Sequence, residues 1–149
     1  EKHFEHCILM FDHEGCGAEH NSAAEIETEL ERQLITRGWN NRNAVIVIEP
    51  ELENWIWTNS LHTAKAMGWE DLATLTAWLT AQKWLQPNAK KPNHPKEAME
   101  AAVKYRLRKP ITKEMFESIA AKASFKSCTS PSFLKFKDTI VRWFTTENP

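Results

Sequence analysis

Two apolar runs that each close on an acid, Cys7-Ile8-Leu9-Met10-Phe11-Asp12 and Ala44-Val45-Ile46-Val47-Ile48-Glu49-Pro50, constrain this chain more than any other feature. A short continuous apolar run bounded by turn residues is the pattern of a strand buried on both faces. Between the two runs, Ser22-Ala23-Ala24-Glu25 spells a capping box, in which Ser22 caps a helix and Glu25 reaches back to it. Ile26, Leu30 and Leu34 then recur four apart, with Ala23 and Ile35 on the same face and Gly38 at the expected stop. The unit reads as strand, helix, strand. Its crossover is long enough for parallel pairing, which is almost always right-handed.

After Pro50 the pattern is helical throughout. The spacing predicts a short helix over 51–57, a longer one over 70–85, and one from Pro95 to Arg108 that opens with proline in its first turn and stops before Pro110. Further helices are predicted over 112–123 and from Ser130-Pro131 through Phe144. Residues 86–95 hold three prolines and read as an exposed, mobile loop inside one domain that spans 1–149. Two strands alone would leave unpaired buried edges, so at least one more strand is expected, either upstream in a longer parent protein or from a partner.

Acids stand where such a sheet would use them. Open parallel sheets bind ligands outside the carboxyl ends of their strands. Asp12 and Glu14 lie two apart at the end of the first run, and carboxylates that converge repel unless a cation neutralises them. Hard oxygen donors favour magnesium or manganese. Glu49, Glu51 and Glu53 follow the second run, where they can complete one metal shell or seat another ion. A plain alternative is a polar turn followed by acids that complement the first turn of a helix. Trp55 and Trp57 read as core.

The net charge of −1 conceals a division. Residues 1–60 hold twelve acids and four bases, whereas residues 61–149 hold fifteen bases and eight acids. The densest stretch runs from Lys83 to Lys109 and includes Lys90, Lys91, Arg106 and Arg108, opposed only by Glu97 and Glu100. An acidic half with a basic half suits a metal site beside a polyanion surface, and a solvated helix face is the simpler reading of any single lysine.

Composition narrows the class further. A chain of 149 residues, 42% hydrophobic and with seven tryptophans, can bury a core without staples. Three cysteines do not make a secreted disulfide framework, which points to the cytoplasm. No apolar run approaches the roughly 20 residues needed to span a bilayer. Gly15-Cys16-Gly17 lacks the third glycine of a dinucleotide fingerprint and the lysine of a P-loop. His3, His6, Cys7, His13, Cys16 and His20 cluster, but their spacings do not form the two tight pairs of a structural zinc site. Cys16 is a minor candidate nucleophile with no evident base partner.

Taken in order, these motifs resemble the Toprim-like proteins of bacteria, related to RloB-like defence proteins. The family's aspartate-any-acid motif after an apolar strand resembles Asp12-His13-Glu14, its acid-rich segment before a tryptophan resembles Glu51-Leu52-Glu53-Asn54-Trp55, and its helix opening resembles Ser130-Pro131-Ser132-Phe133 followed by Phe136. The resemblance runs across most of the chain. It implies a small α/β domain with a parallel sheet flanked by helices, to which the helical pattern after Pro50 adds a helical C-terminal half. It further implies magnesium-dependent cutting or joining of phosphodiester bonds, with the metal on Asp12 and Glu14. Glu14 departs from the family's usual aspartate, and the family's glutamate-bearing first strand would precede Glu1.

The expectation is therefore a nuclease-like, Mg²⁺- or Mn²⁺-dependent enzyme of antiviral defence. Asp12, Glu14, Glu51 and Glu53 are its candidate catalytic acids, and Asp12, Glu14, Glu49 and Glu53 its candidate metal ligands. Lys90, Lys91, Arg106 and Arg108 are the candidate contacts to nucleic-acid phosphates. The competing class is a non-catalytic interaction module of a defence or toxin complex, whose acidic edge docks a partner.

Overall fold

The structure, a computed structural model, describes residues 4–58, 60–126 and 128–145. The protein is mixed α/β, with a two-stranded parallel sheet flanked by helices and a helical C-terminal half. It divides into two compact units: one holds the chain up to Leu52 and again from Thr129, the other holds Glu53–Cys128. No helix among the described residues is long and apolar enough to cross a membrane.

In the first unit, β1 (Cys7–Asp12) and β2 (Asn43–Ile48) pair in parallel, in a register that sets Cys7 against Asn43 and Asp12 against Ile48. The crossover between them carries α1 (Ala23–Thr36), whose capping box forms as its sequence dictates: Ser22 Oγ accepts from the Glu25 N–H at 3.3 Å, and Glu25 Oε2 accepts from the Ser22 N–H at 2.8 Å. Ile26 of α1 buries against Val45 and Val47, with Phe11, Leu30 and Leu34 around them. From Ala44 to Ile48, β2 is at most 2% exposed, as a strand covered on both faces should be.

β1 departs from that expectation. Leu9 is 39% and Met10 43% exposed, because the helices of this unit lie against β2 and leave β1 at the margin of the sheet. The two sheet edges are treated differently. Parallel pairing turns the N–H groups of Val45 and Val47 away from β1. They donate instead to Glu31 Oε1 at 3.1 Å and Glu27 Oε1 at 2.8 Å, both from α1. Lys135, on the final helix of this unit (Pro131–Phe144), donates to Glu27 Oε2 and Glu31 Oε1 at 2.9 Å each. Carboxylates thus occupy the place of a further strand along β2.

A 3₁₀ turn at Leu52–Trp55 begins at the last residue of the first unit's leading segment, and the second unit then holds α2 (Leu61–Ala66), α3 (Leu72–Ala81), α4 (Pro95–Leu107) and α5 (Lys113–Lys122). The helix from Pro131 is accordingly α6. Leu75, Leu79, Ala98, Met99, Val103 and Ile119 form the centre of its core together with Trp57 and Trp69. Trp55 and Trp57, at 8% exposed each, are core as expected, and the Trp57 indole donates to the Pro95 carbonyl at 2.9 Å. The helix α2 has no counterpart among the expected elements; six residues carry too little periodicity to announce one.

Three helices end in the same way. After α1, α2 and α3 a residue at positive φ (Gly38, Gly68 and Lys83) precedes Trp39, Trp69 and Trp84, whose N–H groups return to Leu34, Ala64 and Leu79. This is the Schellman arrangement, in which the residue after the turn packs back on the helix it closes. Only at Gly68 is space also critical, since an added Cβ would sit 2.7 Å from Leu107 Cγ on α4. We expect Gly68→Ala to destabilise the second unit by about 2–4 kcal/mol through backbone strain plus overpacking, whereas Lys83→Gly should stabilise it by about 1 kcal/mol. Chemical denaturation followed by tryptophan fluorescence checks both; an unchanged midpoint for Gly68→Ala would contradict the close approach of α2 and α4.

Candidate metal and nucleic-acid site

Asp12 closes β1 directly opposite Ile48, so Glu49 begins the next residue along the neighbouring strand. Beyond β1 the backbone continues to follow β2. The His13 N–H donates to Ile48 O at 2.8 Å and the Glu14 N–H to Pro50 O at 3.0 Å. These bonds hold Asp12-His13-Glu14 alongside Glu49-Pro50 at the carboxyl end of the sheet. His13 is pinned separately, its Nε2–H donating to the Asn21 carbonyl at 2.9 Å. Gly15 and Gly17, at φ +81° and +80°, supply the left-handed backbone that turns the chain back toward α1.

Asp12 is half-buried and Glu14 exposed. Among the described residues neither carboxylate accepts a hydrogen bond or forms an ion pair. The other acids nearby are used differently. Glu19 accepts from the Gly17 N–H at 3.1 Å, and backbone N–H groups, its own first and then that of Gly17, hold its carboxyl below the usual range. Glu49 is exposed and lines a cavity of about 320 Å³ with Ser22, Ser130, Ser132 and Lys135. Glu51 is buried, at 6% exposed, and Glu53 belongs to the second unit.

The sheet therefore brings Asp12, Glu14 and Glu49 to one end. Among the described residues no three His, Cys, Asp or Glu side chains close into a metal cage. The same holds for the histidine and cysteine cluster, of which His3 lies outside the described residues. Cys16 packs against the Ile26, Val45 and Val47 core and its Sγ accepts from the Ala18 N–H at 3.4 Å, which makes it a structural cysteine. Two carboxylates still fit magnesium in kind. That ion keeps most of its waters and is commonly held by one or two carboxylates together with substrate phosphates.

The basic residues separate once their contacts are known. Lys91 is half-buried and its Nζ donates to the Asn54 carbonyl at 2.7 Å, while burial holds its pKa below the ordinary value of 10.5. It anchors the 86–95 segment, as do the buried Pro92 and Pro95, while Gln86, Pro87, Asn88, Lys90, Asn93 and His94 are exposed. Arg106 donates through Nε to the Gly68 carbonyl at 3.1 Å and lies 5.1 Å from the Trp69 ring, which leaves the end of its exposed guanidinium to solvent. Arg108 is exposed at the C-cap of α4, near the Tyr105 ring. Lys90 is exposed and has no hydrogen-bond or ion-pair partner among the described residues.

Sequence reasoning overlooked an ionic group of the first unit, Lys135 with Glu27 and Glu31. The only available signal was a pair of glutamates four apart on α1, which reads equally well as a solvated helix face. No family model, curated protein or solved structure matches the chain.

Proposed function

We propose that this protein carries out magnesium-dependent phosphodiester chemistry on nucleic acid, in the manner of a Toprim-like nuclease of bacterial defence. The observation that carries the reading is the pair of unpartnered carboxylates, Asp12 and Glu14, held beside Glu49 at the carboxyl end of a parallel sheet. A bound divalent cation there would polarise a phosphoryl oxygen and lower the pKa of a bound water. Asp12 and Glu14 would hold that ion, and Glu49 would add negative charge alongside. Glu51 and Glu53 support the segment that follows β2. Lys90, Arg106 and Arg108 supply charge for backbone phosphates; Lys91 is withdrawn from that set because its ammonium is already bonded.

The test is cleavage of end-labelled DNA and RNA oligonucleotides by the purified chain with Mg²⁺, with Mn²⁺ and with EDTA. Products that appear only with metal support the reading, and their absence across all substrates contradicts it. Binding in EDTA should weaken steeply with salt, and Arg108→Gln should lower the slope of log K against log salt by about one unit. An unchanged slope would remove Arg108 from the interface.

A second reading has its own observation. The edge of β2 is covered by Glu27, Glu31 and Lys135, but the N–H groups of Ile8 and Met10, which point away from β2, pair with nothing among the described residues. An open, apolar strand edge is a template for strand addition, which favours an interaction module completed by a partner's strand. Hydrogen exchange distinguishes the two, because only in the second reading do the Ile8 and Met10 amides become protected when the partner binds.

A further inference from the structure

The second unit contains a cavity of about 40 Å³ whose lining includes Thr58, Thr63, Thr76, Lys90 and Pro92 against an apolar wall from α3. Two of these residues carry polar atoms without partners: Thr58 Oγ1 and Thr63 Oγ1 are shut off from solvent and make no hydrogen bond among the described residues. Thr63 is only 1% exposed. Buried hydroxyls are nearly always satisfied, and two orphans five residues apart, on residues that line one cavity, mark a place where a polar atom belongs.

The rest of the lining determines what kind of atom. Among the described residues no carboxylate lines the cavity, and the only charged group is the ammonium of Lys90. Lys90 is exposed and without a partner among the described residues, in contrast to Lys91 beside it. Three hydroxyls and one cation, with no competing anion, select an oxyanion. The enclosed space suits a single oxygen, roughly the volume that one water requires. Thr76 and Lys90, the exposed part of the lining, face the remainder of a larger group.

We propose that Thr58, Thr63 and Lys90 form a phosphate site, in which one non-bridging oxygen enters the cavity and accepts from both threonine hydroxyls while Lys90 neutralises the charge outside. The phosphate is one of a nucleic-acid strand, and this last step rests on the function proposed above. The site gives Lys90 a definite role within the basic stretch from Lys83 to Lys109.

The test uses the full chain in EDTA, so that metal-dependent chemistry plays no part. Inorganic phosphate is titrated while the Thr58 and Thr63 amides are followed by NMR, and a short oligonucleotide is then added as competitor. Thr63→Val and Thr58→Val keep the side-chain shape and remove an orphaned hydroxyl, so both should fold at least as well as the parent. The expected result is saturable phosphate binding that weakens about tenfold or more in either variant and several-fold in Lys90→Gln, with the oligonucleotide displacing phosphate. Wild-type phosphate affinity in both valine variants would overturn the site and leave a bridging water as the occupant. Phosphate binding that the oligonucleotide does not displace would overturn the nucleic-acid source in favour of free phosphate. Absence of Mg²⁺-dependent cleavage would count against the enzyme and leave these titrations unaffected.

Discussion

Asp12→Ala is expected to lower Mg²⁺-dependent cleavage by about three orders of magnitude, or about 4 kcal/mol in the barrier, because under the proposed function it deletes one of the two carboxylates assigned to the ion. The same substitution should leave stability within about 0.5 kcal/mol of the parent, since the Asp12 carboxylate makes no hydrogen bond or ion pair among the described residues. Its backbone role in β1, opposite Ile48, is unaffected by truncation. Cleavage rates and unfolding midpoints measured on one preparation separate the two effects. Glu14→Gln gives a useful companion, because it keeps the size of the side chain and removes the charge. Full cleavage by Asp12→Ala would exclude this carboxylate from the chemistry and shift weight to the interaction module.

Removing the carboxylates that cover β2 should have the largest effect on stability. In the double variant Glu27→Ala and Glu31→Ala, the outward N–H groups of Val45 and Val47 lose their acceptors and Lys135 loses both of its partners. Each stranded donor costs about 1–3 kcal/mol, so the expected loss is about 4 kcal/mol, concentrated in the first unit. Amide exchange at Val45 and Val47 reads this locally; unchanged protection would mean that the carboxylates merely decorate the surface. Lys135→Met should be milder, because Glu27 and Glu31 can still accept from the strand.

The same group predicts an alkaline sensitivity. Burial alone would lower the pKa of Lys135, but its hydrogen bonds to Glu31 and Glu27 outweigh burial and raise it above the ordinary 10.5. A lysine whose folded pKa is raised contributes stability that is fully present below its unfolded value and is lost as pH climbs through the folded value. Protection of Val45 and Val47 should therefore fall above pH 10.5 in the parent, and this component should be absent from Lys135→Met. Identical alkaline profiles would assign the effect to other groups.

Local features of this protein are legible because their causes are local. The capping box at Ser22 and Glu25, the proline openings of α4 and α6, and the glycine after α1 all act within a turn of helix, and each element lies where its residues indicated. The acids at the ends of β1 and β2 were visible for the same reason, since the end of an apolar run is also the end of the strand. The six residues of α2 fell below what periodicity can announce.

Burial and availability followed a different logic. The runs forming β1 and β2 look alike, yet β2 is enclosed and β1 is exposed at Leu9 and Met10, because enclosure depends on which strand the helices lie against. Lys90 and Lys91 are adjacent and chemically identical, and only the position of the Asn54 carbonyl makes one structural and the other free. Lys135 meets Glu27 across 108 residues of chain. The order of elements, their caps and the positions of the acids follow from interactions a few residues long; the covered sheet edge, the available cations and the orphaned hydroxyls arise only when distant segments pack, since packing alone decides which polar groups lose water and which find a partner.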